Sequence, residues 1–152
     1  MDSQELLSHR KDKQKIGKYG EQLVYQWLLK KQCQVLHQRW HCRFGEIDLI
    51  AKGQSGKGSL RSEVLAFIEV KTRSQGNWDA DGLLAITKAK QRKLRMTARY
   101  FLVRHPALSE MPCRFDIALV SCHVGSPCEG FSLQIPETNK HLSMQSYLRD
   151  AF

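Results

Sequence analysis

The sequence predicts an α/β sandwich: a small mixed central sheet flanked by helices. Three observations lead there. Apolar residues recur at three- and four-residue steps in two separated stretches, one opening at Ile16 and one ending at Leu102. Between and after them stand short extended segments rich in β-branched and aromatic residues. The order helix, strands, helix, strands favours a sheet covered by helices. At 152 residues the chain is sized for one domain with its own core, so folding needs neither disulfides nor a structural metal.

Each element follows in turn. Residues Met1 to Asp12 are charged and lack periodicity, and read as a mobile basic tail; residues 13–152 form the single domain. Ile16, Tyr19, Gly20, Leu23, Val24, Trp27 and Leu28 line one side of a first helix. Val35 opens a short extended segment running toward Trp40. Gly45 introduces a strand, Glu46 to Ala51, and the glycine-rich stretch Gly53 to Ser59 is a turn. Glu63 to Thr72 returns as a second strand, pairing with the first as an antiparallel hairpin. Ser74 to Gly82 is a loop. Ile86 to Arg104 forms a second helix, stopped by Pro106. Arg114 to Cys122 and Phe131 to Ile135 are further strands, and the stretch from His141 is expected to form a short helix.

Composition narrows the function. The apolar run Leu83 to Ile86 is far short of the roughly 20 residues of a membrane span. The N-terminus is polar and basic, without the apolar centre of a signal peptide. Five irregularly spaced cysteines then read as reduced thiols, and the expected location is the cytoplasm. Lys and Arg total 24 against 15 Asp and Glu, a net charge of +9. Such a surplus points to a polyanion, with nucleic acid first, and with no apolar span no membrane partner is expected.

The segment Phe67 to Lys71 carries the chemistry. On a strand, Glu69 and Lys71 share a face about 7 Å apart, while Ile68 and Val70 line the other. An acid and an amine on an otherwise apolar strand are costly to bury unless something compensates them. Asp48 interrupts the neighbouring strand in the same way, between Ile47 and Leu49, and one hairpin register brings it beside Glu69. Two carboxylates suit Mg²⁺ (or Mn²⁺), a hard cation that keeps several waters. Such an ion acidifies a bound water and stabilises charge on a phosphoryl oxygen, and a nearby lysine can orient that water.

Gly20-Glu21, the block Gly45-Glu46-Ile47-Asp48-Leu49-Ile50-Ala51, the block Glu69-Val70-Lys71-Thr72-Arg73, and Arg114-Phe115-Asp116 together resemble the signature blocks of the bacterial YraN-like family. That family is assigned to the PD-(D/E)xK nuclease superfamily, near Holliday junction resolvases. The resemblance spans about Lys13 to Val120 and implies a restriction-endonuclease-like fold. It implies a Mg²⁺- or Mn²⁺-dependent endonuclease on structured or branched DNA. Asp48 and Glu69 would be metal ligands, with the Val70 carbonyl completing the set, and Lys71 the catalytic lysine. Glu21 would be the extra acid of resolvase-like members. Read from the residues alone, Glu21 lies at the border of the apolar stripe and can face sheet or solvent. Resolvases of this fold act as dimers, so a homodimer is implied as well.

The second helix supplies a candidate DNA surface. Lys88, Arg92, Arg95 and Arg99 form one narrow stripe with no acid on it. Like charges at this spacing repel, and a phosphate backbone would relieve that repulsion. Arg73 can add a bidentate phosphate contact. The alternative is a non-catalytic nucleic-acid-binding module, which needs the cations but not the acids. Cys33, His37, His41 and Cys42 are residue types that suit zinc, but they lack the paired spacing of zinc modules.

Overall fold

A computed structural model describes residues 2–74, 86–126 and 129–152. Helix α1 spans Ser3–Lys30 and leads into β1, Gln34–Cys42. Strands β2 (Gly45–Ser55) and β3 (Ser62–Ser74) follow, then α2 (Lys88–Arg104) and β4 (Cys113–Val124). Two further strands, β5 (Ser132–Gln134) and β6 (Lys140–Leu148), close the chain. The six strands form one mixed sheet in the order β1-β2-β3-β4-β6-β5. Neighbours pair antiparallel except β3 and β4, which are parallel. A parallel pair needs a long crossover, and α2 lies within it. The molecule is thus an α/β sandwich of the restriction-endonuclease-like kind, with an open sheet between two helices.

The helices take opposite faces. Leu23, Val24 and Leu28 of α1 pack on Leu49, Ala51, Ala66, Ile68, Ala118 and Val120. Leu94, Ala98 and Phe101 of α2 pack on Ile47, Ile50, Leu65 and Phe67. Strand β3 is buried on both sides and reads as a continuous apolar run, as strands covered on both faces do. No described helix is long and apolar enough to cross a membrane.

Two expectations change. The stretch from His141 is a strand, not a helix: β6 pairs with β4 along its length and with β5 on its other side. Its residues alternate weakly by themselves, and this sheet pairing overrides local preference. At the other end, the helix begins at Ser3 and runs through the residues read as a tail. Asp2 caps it, and the Glu5 carboxylate accepts the Asp2 backbone N–H at 3.3 Å, the reciprocal end of a capping box. Residues 2–15 are exposed on every side, so they show no buried stripe for periodicity to reveal. The second helix starts at Lys88 with Thr87 as its N-cap. The expected loop Ser74 to Gly82 lies, from residue 75 on, outside the described residues.

Gly20 sets how closely α1 approaches the sheet. A Cβ there would collide with the Thr72 hydroxyl of β3, whereas one at Gly17 would meet nothing. Glycine inside a helix is disfavoured against alanine by about 0.5–1 kcal/mol, so its placement at Gly20 reflects packing. Gly20→Ala should lower stability in urea unfolding by about 1–3 kcal/mol through overpacking. Gly17→Ala should raise it by about 0.5–1 kcal/mol. Adding Thr72→Ala to Gly20→Ala should recover most of the deficit; no recovery would show that the collision is not the cause.

Candidate active site

Strand parity and a local break assemble the site. Ala66 and Ile68 of β3 face α1, while Leu65 and Phe67 face α2, so Glu69 and Lys71 project on the α2 side. The β2–β3 ladder reaches Leu49 opposite Ile68, which sets Asp48 one step on, opposite Glu69. There the alternation of β2 breaks: Leu49 packs on the α1 side, yet Ile47 packs on the α2 side. Across the hairpin, Arg39 stands between the pairs Gln38–Leu49 and Trp40–Ile47 with φ +49°, a left-handed conformation that a long side chain rarely adopts. The ladder is replaced by a side-chain contact: Val70 donates its N–H to Asp48 Oδ2 at 2.8 Å.

Glu69 is the centre. Its side chain is 8% exposed, and two ammonium groups meet on Oε1. Lys90 Nζ lies at 2.6 Å and Lys71 Nζ at 3.3 Å. Burial and the adjacent Glu69 charge push Asp48 up to about 7, against the opposing Val70 N–H. Burial, then the neighbouring Lys90, pulls Lys71 below its ordinary value. Burial also acts against Lys90, but its hydrogen bond to Glu69 and the neighbouring carboxylates hold it above its ordinary value. Both ammonium groups are thus spent on Glu69 and Asp48 has none, while one lysine is made more readily neutral.

Glu21, which sequence alone left facing sheet or solvent, faces the site. It lines two adjoining cavities of about 590 and 930 Å³ together with Asp48 and Glu69. It is not gathered with them, because Arg39 Nε holds its Oε2 at 2.7 Å. The smaller cavity is also lined by Lys71, Val70 and Arg73; Arg73 is exposed and donates to the Thr72 carbonyl at 3.2 Å. Lys11, Lys15 and Lys18 line the larger cavity, and Lys13 the smaller. Lys88, Arg92, Arg95 and Arg99 are all exposed. At about 100° per residue they sit roughly 140–200° around α2 from Lys90, so the stripe turns away from the carboxylates.

Sequence reasoning missed Lys90, Arg39 and the α1 lysines Lys11, Lys13, Lys15 and Lys18. Lys90 falls outside the three- and four-residue stripe that drew attention to its neighbours; its place three residues after the N-cap Thr87 was the available signal. Arg39 gave none, because a left-handed backbone at arginine follows no propensity. Lys11 belonged to residues read as a tail.

The donors fit a hard divalent cation in part. Among the described residues no three His, Cys, Asp or Glu side chains gather as a metal-binding group. The same finding leaves Cys33, His37, His41 and Cys42 without a zinc site among those residues. What remains is the pair Asp48 and Glu69, of which Asp48 has no cation of its own, open to a cavity, which suits an ion that keeps most of its waters.

The raised Asp48 has a stability signature. Native Asp48 keeps its proton to higher pH than the unfolded chain, whose carboxyl titrates near 3.8. The native state thus binds more protons between those values, and this contribution is lost as pH rises from about 4 to 7. In metal-free urea unfolding, Asp48→Asn should gain on the wild type across that window by on the order of 1–4 kcal/mol. A difference that does not vary with pH would mean that Asp48 titrates as an ordinary carboxylate.

Residues 20–120 match the family described as Uncharacterised protein family UPF0102. A UPF0102 protein of Acaryochloris marina is 54% identical over 112 residues, covering 73% of this chain and 65% of the relative. One from Trichodesmium erythraeum is 49% identical over 111 residues, covering 70% and 62%. The chain thus spans less than two thirds of the length of these two relatives. A UPF0102 protein of Synechococcus sp. (strain JA-3-3Ab) is 41% identical over 146 residues and is matched nearly end to end, 96% against 97%. With the Gly45–Ala51 and Glu69–Arg73 blocks inside the matched region, the chain belongs to the UPF0102 family, the YraN-like proteins.

Proposed function

We propose that this protein is a divalent-metal-dependent endonuclease that hydrolyses phosphodiesters in structured or branched DNA. The observation that carries the reading is the convergence of Asp48, Glu69 and Lys71 on one cavity, with Glu69 bridged by two lysines. A bound Mg²⁺ or Mn²⁺ would supply an acidified water and charge stabilisation at phosphorus. Asp48 and Glu69 would hold it, with the Val70 carbonyl beside them. Lys71, more readily neutral because it is buried, can accept the proton of the attacking water. Lys90 would leave Glu69 if the carboxylate held the ion; its side chain is 41% exposed against 14% for Lys71, so Lys90 is the freer to turn toward a phosphate. Arg73 and the lysines of α1 are placed to grip the flanking backbone, and the exposed Lys88–Arg99 stripe is a second basic surface that a bent or branched substrate can reach.

The decisive experiment is a cleavage panel of duplex, single-strand, flap and four-way DNA with Mg²⁺ or Mn²⁺. Glu69→Ala should abolish cutting while DNA binding holds or tightens, because a negative charge facing phosphates has gone. Lys71→Ala should stop cutting and weaken binding slightly, since it removes a cation. If the wild type cuts nothing in the panel and Glu69→Ala binds DNA as the wild type does, the nuclease reading falls and a binding module with this fold remains.

Lys90 gives a test that needs no turnover. Removing the ammonium from Glu69 Oε1 takes away a charged hydrogen bond that a divalent cation must displace, and such bonds contribute about 1.5 kcal/mol or more before solvent screening. Lys90→Met should therefore raise Mn²⁺ affinity by up to about tenfold in calorimetric titration, while lowering cleavage. Equal Mn²⁺ affinity in variant and wild type would mean that Lys90 does not compete at Glu69.

A further inference from the structure

We propose that a cavity at the far end of α2 is a binding site for an unpaired nucleotide, so that the substrate carries single-stranded bases a few nucleotides from the cleaved bond. The inference rests on the nuclease reading for its link to cleavage, but the binding stands on separate residues.

The cavity measures about 450 Å³ and is lined by Trp40, His41, Cys42, Arg43, Tyr100, Arg104 and His105. That volume falls in the range of small-ligand sites, roughly 300–1,000 Å³. Its aromatic members are Trp40 and Tyr100, 6.3 Å apart between centroids, with Phe44 edge-on to Tyr100 at 5.7 Å. Trp40 is itself seated edge-on against the buried Phe101 at 5.2 Å, which fixes the indole. Arg43 and Arg104 are exposed, and Arg43 lies over the Phe44 ring at 4.7 Å. Among the described residues no carboxylate pairs with either arginine. Rings beside unneutralised guanidiniums suit a base with its phosphate, since bases stack on aromatic faces in any sequence and the backbone meets the cations.

The cavity also lies in line with the carboxylates. Lys90, Lys93, Tyr100 and Arg104 share one side of α2, within an arc of about 80°. This ridge differs from the Lys88–Arg99 stripe, and it begins at Glu69. Tyr100 stands ten residues beyond Lys90, about 15 Å along the axis. Between them the tip of the β1–β2 hairpin presses on the helix, where a Cβ at Gly45 would lie 3.1 Å from the Thr97 hydroxyl. A strand engaged at the carboxylates would pass over that hairpin tip to place a base a few nucleotides away in the cavity.

The test is fluorescence anisotropy with labelled oligothymidylate, oligouridylate and a blunt duplex, over a range of salt. Arg43 and Arg104 are exposed, so the double variant Arg43→Ala/Arg104→Ala should fold. It should bind a single strand at least fivefold more weakly, and its salt slope should fall by up to about 0.7 for each phosphate that is no longer neutralised. Its affinity for blunt duplex should not change. Tyr100→Ala should bind single strands fivefold or more weakly, as removal of a stacking ring does, while Tyr100→Phe keeps the ring and stays near the wild type. The thymidylate and uridylate arms separate DNA from RNA as the source of the base. No single-strand binding by the wild type, unchanged affinity in the arginine double variant, or an equal weakening on blunt duplex would overturn the inference. Because binding alone is read, wild type that cuts nothing, with Glu69→Ala binding as the wild type does, removes the link to cleavage but leaves the nucleotide site standing if it passes this test.

Discussion

A carboxylate buried on a central strand of an apolar sheet has to be matched by cations, and much of the site is arranged around that need. Glu69 lies between Ile68 and Val70, on a strand that Leu65 and Phe67 tie into the core. An isolated ionised group there would be costly. Lys71 reaches it from the same strand and Lys90 from the first turn of α2. The second pairing makes the placement of α2 part of the site: the core packing of Leu94, Ala98 and Phe101 holds the helix, and its N-terminal turn delivers the ammonium.

The sheet holds another buried carboxylate, and the contrast separates structure from chemistry. Asp116 is fully buried. Arg114 Nε donates to both of its oxygens at 3.0 Å, the Tyr147 hydroxyl donates at 2.7 Å and the Asp150 backbone N–H at 3.0 Å. Burial and this carboxylate drive Tyr147 well above the ordinary tyrosine range, so the phenol stays a donor. Its ring stacks on Trp27 of α1 at 4.7 Å. This network is closed, and it ties β4, β6, α1 and the C-terminal segment together. Asp48 and Glu69 border an open cavity, and Asp48 has one backbone donor and a like charge beside it. A satisfied charge holds the fold; an under-compensated one is available for a ligand.

Where sequence was informative, a strong period or a special residue pair stood behind it. Alternation along Phe67 to Lys71 put Glu69 and Lys71 on one face, and the glycine-rich turn signalled the hairpin whose register sets Asp48 opposite Glu69. The periodic stripe from Ile16 to Leu28 located the packed part of α1. What was not legible depends on contacts distant in sequence or on positions without burial. Strand β6 is a strand because β4 and β5 flank it. Residues 3–15 are helical without packing, so only the Asp2–Glu5 cap announced them. Lys90 becomes a site residue through the docking of α2, and no spacing rule on the helix alone selects it over Lys88 or Arg92.

Three local costs border the two adjoining cavities. Arg39 adopts a left-handed backbone that disfavours long side chains. The Thr72 hydroxyl is buried against Gly20 without a hydrogen-bond partner among the described residues. Asp48 is held where its charge is opposed by burial and by Glu69. Each feature alone is a small defect, and structural explanations exist for any one. Together they border the same carboxylates: Arg39 pairs with Glu21, Thr72 lines the wall beside Lys71, and Asp48 forms the floor with Glu69. A surface that only had to attract phosphates would gain nothing from two acids in its midst, nor from the strain that positions them. Acids held beside cations against burial and local strain are the pattern expected of a ligand site and not of a surface built for stability alone.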